Sequence, residues 1–225
     1  MEIGAPFPPI QDACYWMHGR SPRPAAPLAT DLDVDVAIVG GGFTGLWTAL
    51  SLKDLEPSLS IVVLERESVA YGASGRNAGI VGETLDHSHE LAIAHFGLDE
   101  ARALARIGRE NLDGLERFLA DRRIAAGFKR PGQLTVALSD EQAEALEASA
   151  RAAERVGAPG WRLLSGAEVR DEIASPLYRG GLLAPRNALV DPVALAEGLR
   201  DEAQRLGVTV HERTGVDGIE FPHDR

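Results

Sequence analysis

The chemistry most legible in this chain lies in a cluster of glycines and one carboxylate. Gly40, Gly42 and Gly45 fall within the run Gly40-Gly41-Gly42-Phe43-Thr44-Gly45, and Glu65 follows 20 residues past the last of them. Each has a distinct physical use. Gly40 permits a tight turn, Gly42 lets a pyrophosphate approach the backbone, and Gly45 lets a helix pack closely on a sheet. A helix starting here offers unpaired N–H groups and the positive end of its dipole to phosphate oxygens. At the spacing of Glu65 an acid can accept hydrogen bonds from a ribose, and its charge repels a 2′-phosphate, which disfavours NADP. FAD and NAD both remain, because each carries an ADP half with a free 2′-hydroxyl.

A second small-residue loop follows, Tyr71-Gly72-Ala73-Ser74-Gly75-Arg76-Asn77-Ala78-Gly79. Such a loop suits a backbone passing close to a flat or phosphorylated ligand. Arg76 can add positive charge there, and Ser74 and Asn77 can add hydrogen bonds. Other chemistry is thinner. His87, His89 and His95 fit no metal-ligand spacing and read as solvated histidines at a helix start, so no metal is expected. Arg130 and Arg186 could take a substrate carboxylate, but read more simply as surface charges. Cys14 is the single cysteine, which excludes an internal disulfide and a cysteine-built zinc site. Nothing near it would lower its pKa, so packing is its expected role.

The elements that must position these groups are readable from pattern. Val34–Val39 is a short β-branched strand ahead of the glycines, an apolar helix runs to about Leu55, and Ser60–Leu64 is a second strand ending on Glu65. From His89 to Ile124 the apolar positions recur at three and four, predicting one long amphipathic helix or two in series, broken near Gly97 or Gly108. Strands are expected at 132–138, 161–164, 180–183, 208–211 and 214–220. Helices are expected from Ser139 to about Val156, briefly after Ser165, and from Asp191-Pro192 to Leu206 with Gly207 as the stop. Residues 1–32, rich in proline, read as an extended arm that Cys14-Tyr15-Trp16 anchors.

With 225 residues, 44% hydrophobic, the composition is that of a globular protein. Lys+Arg 23 against Asp+Glu 34 gives a net charge of −11, which argues against nucleic acid or an anionic membrane as main partner. No apolar run approaches the roughly 20 residues of a membrane span. The first residues lack a secretory signal pattern, so the cytoplasm is the expected compartment.

The glycine run, Leu64-Glu65 and Gly-Ala-Ser-Gly-Arg-Asn-Ala-Gly at 72–79 together resemble the D-amino-acid-oxidase-type FAD-dependent oxidoreductases. The pattern is similar to the branch of γ-glutamylputrescine and aminophosphonate oxidoreductases, which the Tyr15-Trp16 arm also resembles. The resemblance implies an α/β fold with a Rossmann-like, glutathione-reductase-like FAD-binding domain at 33–82 and 186–225. A mixed helical and strand insertion, part of a substrate domain, would occupy 83–185. It implies that Gly40, Gly42, Phe43, Thr44 and Gly45 line the pyrophosphate, that Glu65 holds the adenosine ribose and that Arg66 and Val216 lie by the adenine. Ala73, Ser74, Arg76, Asn77 and Gly79 would run along the pyrophosphate, ribityl chain and ring. Some relatives attach the flavin through a histidine where Arg76 stands, so non-covalent FAD is expected. The implied reaction is hydride transfer from the carbon beside an amine to flavin N5, with the electrons passing on to oxygen or another acceptor. No catalytic acid or base is assignable within 1–225. Members of that family run to about twice a single-domain length, so the resemblance also implies the N-terminal part of a longer, C-terminally truncated enzyme. The alternatives are an NAD-dependent dehydrogenase, which predicts regularly repeating βαβ units after Glu65, and a non-catalytic nucleotide-binding fragment.

Overall fold

A computed structural model describes residues 14–20, 24–84 and 88–221. Residues 1–13 and 21–23 of the expected arm, His87 and residues 222–225 lie outside the described residues. The chain divides into two compact units, one of residues 1–78, 124–126 and 191–225, the other of 79–123 and 127–190.

The first unit is built on a parallel sheet of β1 (Val36–Val39), β2 (Ile61–Leu64) and β8 (Thr209–His211), in the order β1-β2-β8. Val36 pairs with Ile61 and Val62 with Thr209, so the two ladders share β2 as the central strand. That position explains its composition. Ile61, Val62 and Val63 are all buried, the continuous apolar run that a covered parallel strand requires. Val39, on the edge strand, is 59% exposed. Helix α1 (Phe43–Leu55) carries the chain from β1 to β2, and α6 (Pro192–Arg205) packs against it. Leu46, Ala49 and Leu50 of α1 and Ala196, Leu199 and Ala203 of α6 are within 2% of complete burial. Asp191 caps α6 by accepting the N–H groups of Val193 and Ala194, with Pro192 at the first helical position.

The second unit holds an antiparallel sheet, order β4-β6-β5, formed by Gln133–Ala137 (β4), Gly180–Ala184 (β6) and Arg162–Ser165 (β5). A separate antiparallel pair joins β3 (Ile80–Val81) to β7 (Ala188–Leu189). Helices α2 (His89–Phe96), α3 (Leu98–Asp121), α4 (Asp140–Arg155) and α5 (Gly166–Glu172) complete it. Ala92, Ala101, Ala105, Ala153 and Val156 make a small-residue core between α2, α3 and α4.

The break in the long amphipathic run falls at Gly97, whose φ of +82° is accessible mainly to glycine. Gly108 stays helical and buried inside α3. Two expectations are corrected. No strand forms at 214–220. Instead the chain is tied to the end of β2 only where the segment begins, with Arg213 and Thr214 donating to the carbonyls of Glu67 and Glu65. His89 is also no solvated histidine. It is 5% exposed, its ring 5.2 Å from that of Trp161, and burial pushes its imidazolium below the ordinary 6.5 against the pull of Glu83 and Glu90.

Candidate cofactor site

The carboxyl ends of parallel strands are where α/β sheets bind ligands, and in the first unit the glycine residues gather there. Gly40 leaves β1 with φ +100°, a left-handed conformation, while its N–H still donates to Leu64 at 2.9 Å. A Cβ at Gly45 would stand 2.1 Å from the Gly40 carbonyl oxygen. Only a hydrogen fits, and that sets how closely α1 packs on the strand that feeds it. The opening of α1 has no side-chain cap. An α-helix leaves its first amides without intrahelical partners. Here the hydroxyl of Ser74 accepts the N–H of Phe43 at 2.9 Å, and Thr44 and Gly45 follow in the same first turn. A Cβ on Gly42 would come within 3.0 Å of that hydroxyl, so the glycine allows the second loop to sit against the first.

Glu65 is turned into the glycine bend. One carboxylate oxygen accepts the Gly41 N–H at 2.6 Å and the other accepts the Glu67 N–H at 2.9 Å. A carboxylate has about four acceptor directions, so both oxygens keep capacity for a hydroxyl. Arg66 is exposed at the rim, and a Cβ on Gly215 would lie 3.5 Å from its Cγ, which brings the segment bearing Val216 alongside.

The second loop is a 3-10 turn, Ala73–Gly75, held from within. Asn77 donates its side-chain amide to the carbonyls of Ser74 and Ala73 at 2.9 and 3.2 Å, so it secures the turn. Arg76 lies over the Tyr71 ring, 4.9 Å from its centroid, and donates to the Tyr71 carbonyl at 2.6 Å. Its charge is therefore directed at Tyr71. Gly79 belongs to the second unit, has φ +74°, and accepts the Val190 N–H at 2.8 Å. Arg130 and Arg186 also lie in the second unit and are committed to ion pairs, both with Asp113 and the latter with Glu83 too.

Two groups hold this site together: the arm anchor expected at Cys14-Tyr15-Trp16, and Glu212, which pattern reasoning passed over. The Trp16 indole donates to the Asn77 carbonyl at 2.8 Å and the Cys14 thiol lies 3.3 Å from the Gly75 carbonyl, so the arm grips the second loop. Tyr15, expected to help anchor it, is 81% exposed. Glu212 is 1% exposed and accepts the N–H groups of Val69, at 2.6 Å, and of Ala25. A signal for it existed. Val208, Val210 and Glu212 share the parity of a strand whose alternate residues are buried.

Comparison with known proteins fits this geometry. The family model described as FAD dependent oxidoreductase, DAO, matches residues 35–225.

The chain belongs to the DAO family of FAD dependent oxidoreductases.

Over 197 residues the chain is 34% identical to gamma-glutamylputrescine oxidoreductase of Escherichia coli (strain K12), covering 88% of the chain and 46% of that protein. It is 29% identical over 215 residues to the mitochondrial L-2-hydroxyglutarate dehydrogenase of Homo sapiens, covering 93% and 43% respectively. Glycine oxidase from Geobacillus kaustophilus superposes with a TM-score of 0.69 at 25% identity, over 81% of the chain and 47% of that structure. The chain thus spans about half the length of the relatives it matches. Family membership selects FAD over NAD, and the bend, built for a close backbone approach at a helix N-terminus beside an acid, fits the ADP half of FAD.

Proposed function

We propose that this chain carries the FAD-binding part of an oxidoreductase that oxidises an amine or amino-acid-like substrate. The observation that carries the reading is the combination of a glycine bend closed by Glu65 with 34% identity to an oxidoreductase of a γ-glutamylated diamine. The cofactor domain would comprise 33–82 and 186–225, with 83–185 contributing to substrate binding.

In this reading the amides at the start of α1, with Gly40, Gly42, Phe43, Thr44 and Gly45, hold the pyrophosphate. The acceptor capacity left on Glu65 takes the adenosine ribose. Arg66 and Val216 border the adenine. Ala73, Ser74, Asn77 and Gly79 supply a backbone track for the ribityl chain and ring, and Arg76 flanks it from its seat on Tyr71. FAD, held without a covalent bond, supplies hydride acceptance at N5 from the carbon beside the donor nitrogen. The chain's own contribution is to bind and orient. Trp16 and Asn77 fix the track before the cofactor arrives, so less ordering remains to oppose binding.

A second reading is kept because the human relative is named for a 2-hydroxy acid: the donor carbon would then bear a hydroxyl. One experiment separates them. The purified protein is loaded with FAD and its visible spectrum followed under anaerobic conditions. Bleaching of the flavin band by γ-glutamylputrescine or another primary amine supports the first reading, and bleaching by 2-hydroxyglutarate the second. Protein that stays colourless after FAD and desalting would overturn both. Flavin that is retained but reduced by neither donor leaves a binding fragment without turnover.

A further inference from the structure

The cavities of the second unit include a cleft of about 570 Å³ between α3 and the carboxyl end of α4, and its lining is dominated by arginine. Arg102, Arg106 and Arg109 follow one another at four and three residues, so they share a face of α3. Arg155, the last residue of α4, faces them across the cleft. The two helices are tied at this point, since the Arg102 Nε donates to the Arg155 carbonyl at 3.0 Å.

The group is sparsely paired. In a chain of net charge −11 carboxylates are plentiful, and Arg20, Arg130, Arg186, Arg200 and Arg205 all have one within ion-pair distance. Among the described residues, Arg106, Arg109 and Arg155 have none. Arg102 reaches only Asp99, a residue whose side chain is almost fully exposed. The Arg109 Nη1 is buried with no hydrogen-bond partner, an arrangement that costs free energy unless something completes it. Asp99 and Glu154 are the acids of the lining. Four guanidinium groups against two carboxylates leave two positive charges in excess, which a phosphate dianion would neutralise.

We propose that this cleft is an anion site for a phosphate dianion, free or as a phosphomonoester, separate from the glycine bend. Guanidinium groups match phosphate through paired, charge-assisted N–H···O bonds. Arg106 and Arg109 supply them from one helix face and Arg155 from the opposite wall, and the volume leaves room for a small organic group beyond the phosphate.

Isothermal titration of inorganic phosphate into the FAD-saturated protein tests this, with sodium chloride holding ionic strength constant. FAD occupies the glycine bend, so that second phosphate-binding locus does not contribute. A saturable isotherm is expected in the wild type, weakened about tenfold in Arg106→Gln and unchanged in Arg151→Gln, whose guanidinium pairs with Glu147. Arg109→Gln should weaken it similarly. Should burial of its Nη1 make that variant unstable, the exposed Arg106 carries the test alone. A phosphomonoester that binds more tightly than inorganic phosphate assigns the site to a phosphorylated metabolite, and the reverse assigns it to free phosphate. Absence of a saturable heat, or an isotherm identical in Arg106→Gln and wild type, overturns the proposal. The arginine variants locate the heat whether or not the chain takes FAD, so failure of the flavin reading would not be mistaken for failure of this one.

Discussion

The Ser74 hydroxyl accepts the N–H of Phe43 at 2.9 Å, and that bond joins two loops separated by 31 residues at the mouth of a helix. It does for α1 what an N-cap side chain does elsewhere, because Gly42 has none to offer. Replacement Ser74→Ala should lower stability by about 1 kcal/mol and weaken FAD binding, because the loop loses its tether to the bend. Thermal unfolding and quenching of flavin fluorescence would report the two effects. Unchanged FAD affinity would show that the loop is positioned without Ser74.

Gly45 and Gly114 should respond oppositely to the same added methyl. At Gly45 it would meet the Gly40 carbonyl oxygen at 2.1 Å, so Gly45→Ala must push α1 off β1. A cost of roughly 3 kcal/mol or more is expected, together with loss of FAD. At Gly114, within α3, the nearest atom is the end of the Arg117 side chain at 4.0 Å. Gly114→Ala should therefore stabilise by about 0.5–1 kcal/mol through helix propensity. Denaturant midpoints of the two variants give the comparison.

Glu212 is a buried carboxylate that receives two backbone amides, from Val69 and from Ala25 of the arm. Glu212→Ala leaves both donors unmet. A loss of about 3 kcal/mol is expected from unsatisfied groups of this kind. Limited proteolysis should cut the arm faster in the variant, and equal cutting rates would show that Trp16 and Arg20 suffice to hold it.

His89 should give the protein a step in stability below neutral pH. Its pKa is lowered in the folded state, chiefly by burial. The unfolded chain therefore takes up the proton first as pH falls. Stability is complete above the ordinary value of 6.5, falls as pH drops through it, and levels off once the lower folded value is passed. The groups facing the ring are Glu83, Glu90, Arg109 and Trp161. The described acids with a shift, Asp35, Glu56, Glu90 and Glu168, all titrate below their ordinary values, so their contribution is lost at lower pH than the histidine's step. Urea midpoints measured across that step should slope in the wild type and flatten in His89→Gln.

The glycine bend was readable from residue order because each of its requirements is local. The turn at Gly40, the close packing at Gly45 and the acid after β2 are set by steps of a few residues along one βαβ unit. Helix periods and stops were legible for the same reason. Gly97 ends α2 through its own φ, and Asp191-Pro192 opens α6 through its own side chains.

What residue order left open was decided at long range. His89 and Trp161 lie 72 residues apart and meet because α2 packs on α3 and α4, with Trp161 a few residues past the end of α4, so burial replaced the solvation expected for a helix-start histidine. Arg76, whose charge pattern directed at a ligand, also has local partners that pattern did not show, the Tyr71 ring and carbonyl. Glu212, 143 residues from Val69, became a structural acceptor only when β8 came to lie beside β2. Local sterics and backbone hydrogen bonding are written in neighbouring residues. Which polar group loses water, and which partner replaces it, depends on contacts that exist only once the chain has closed on itself.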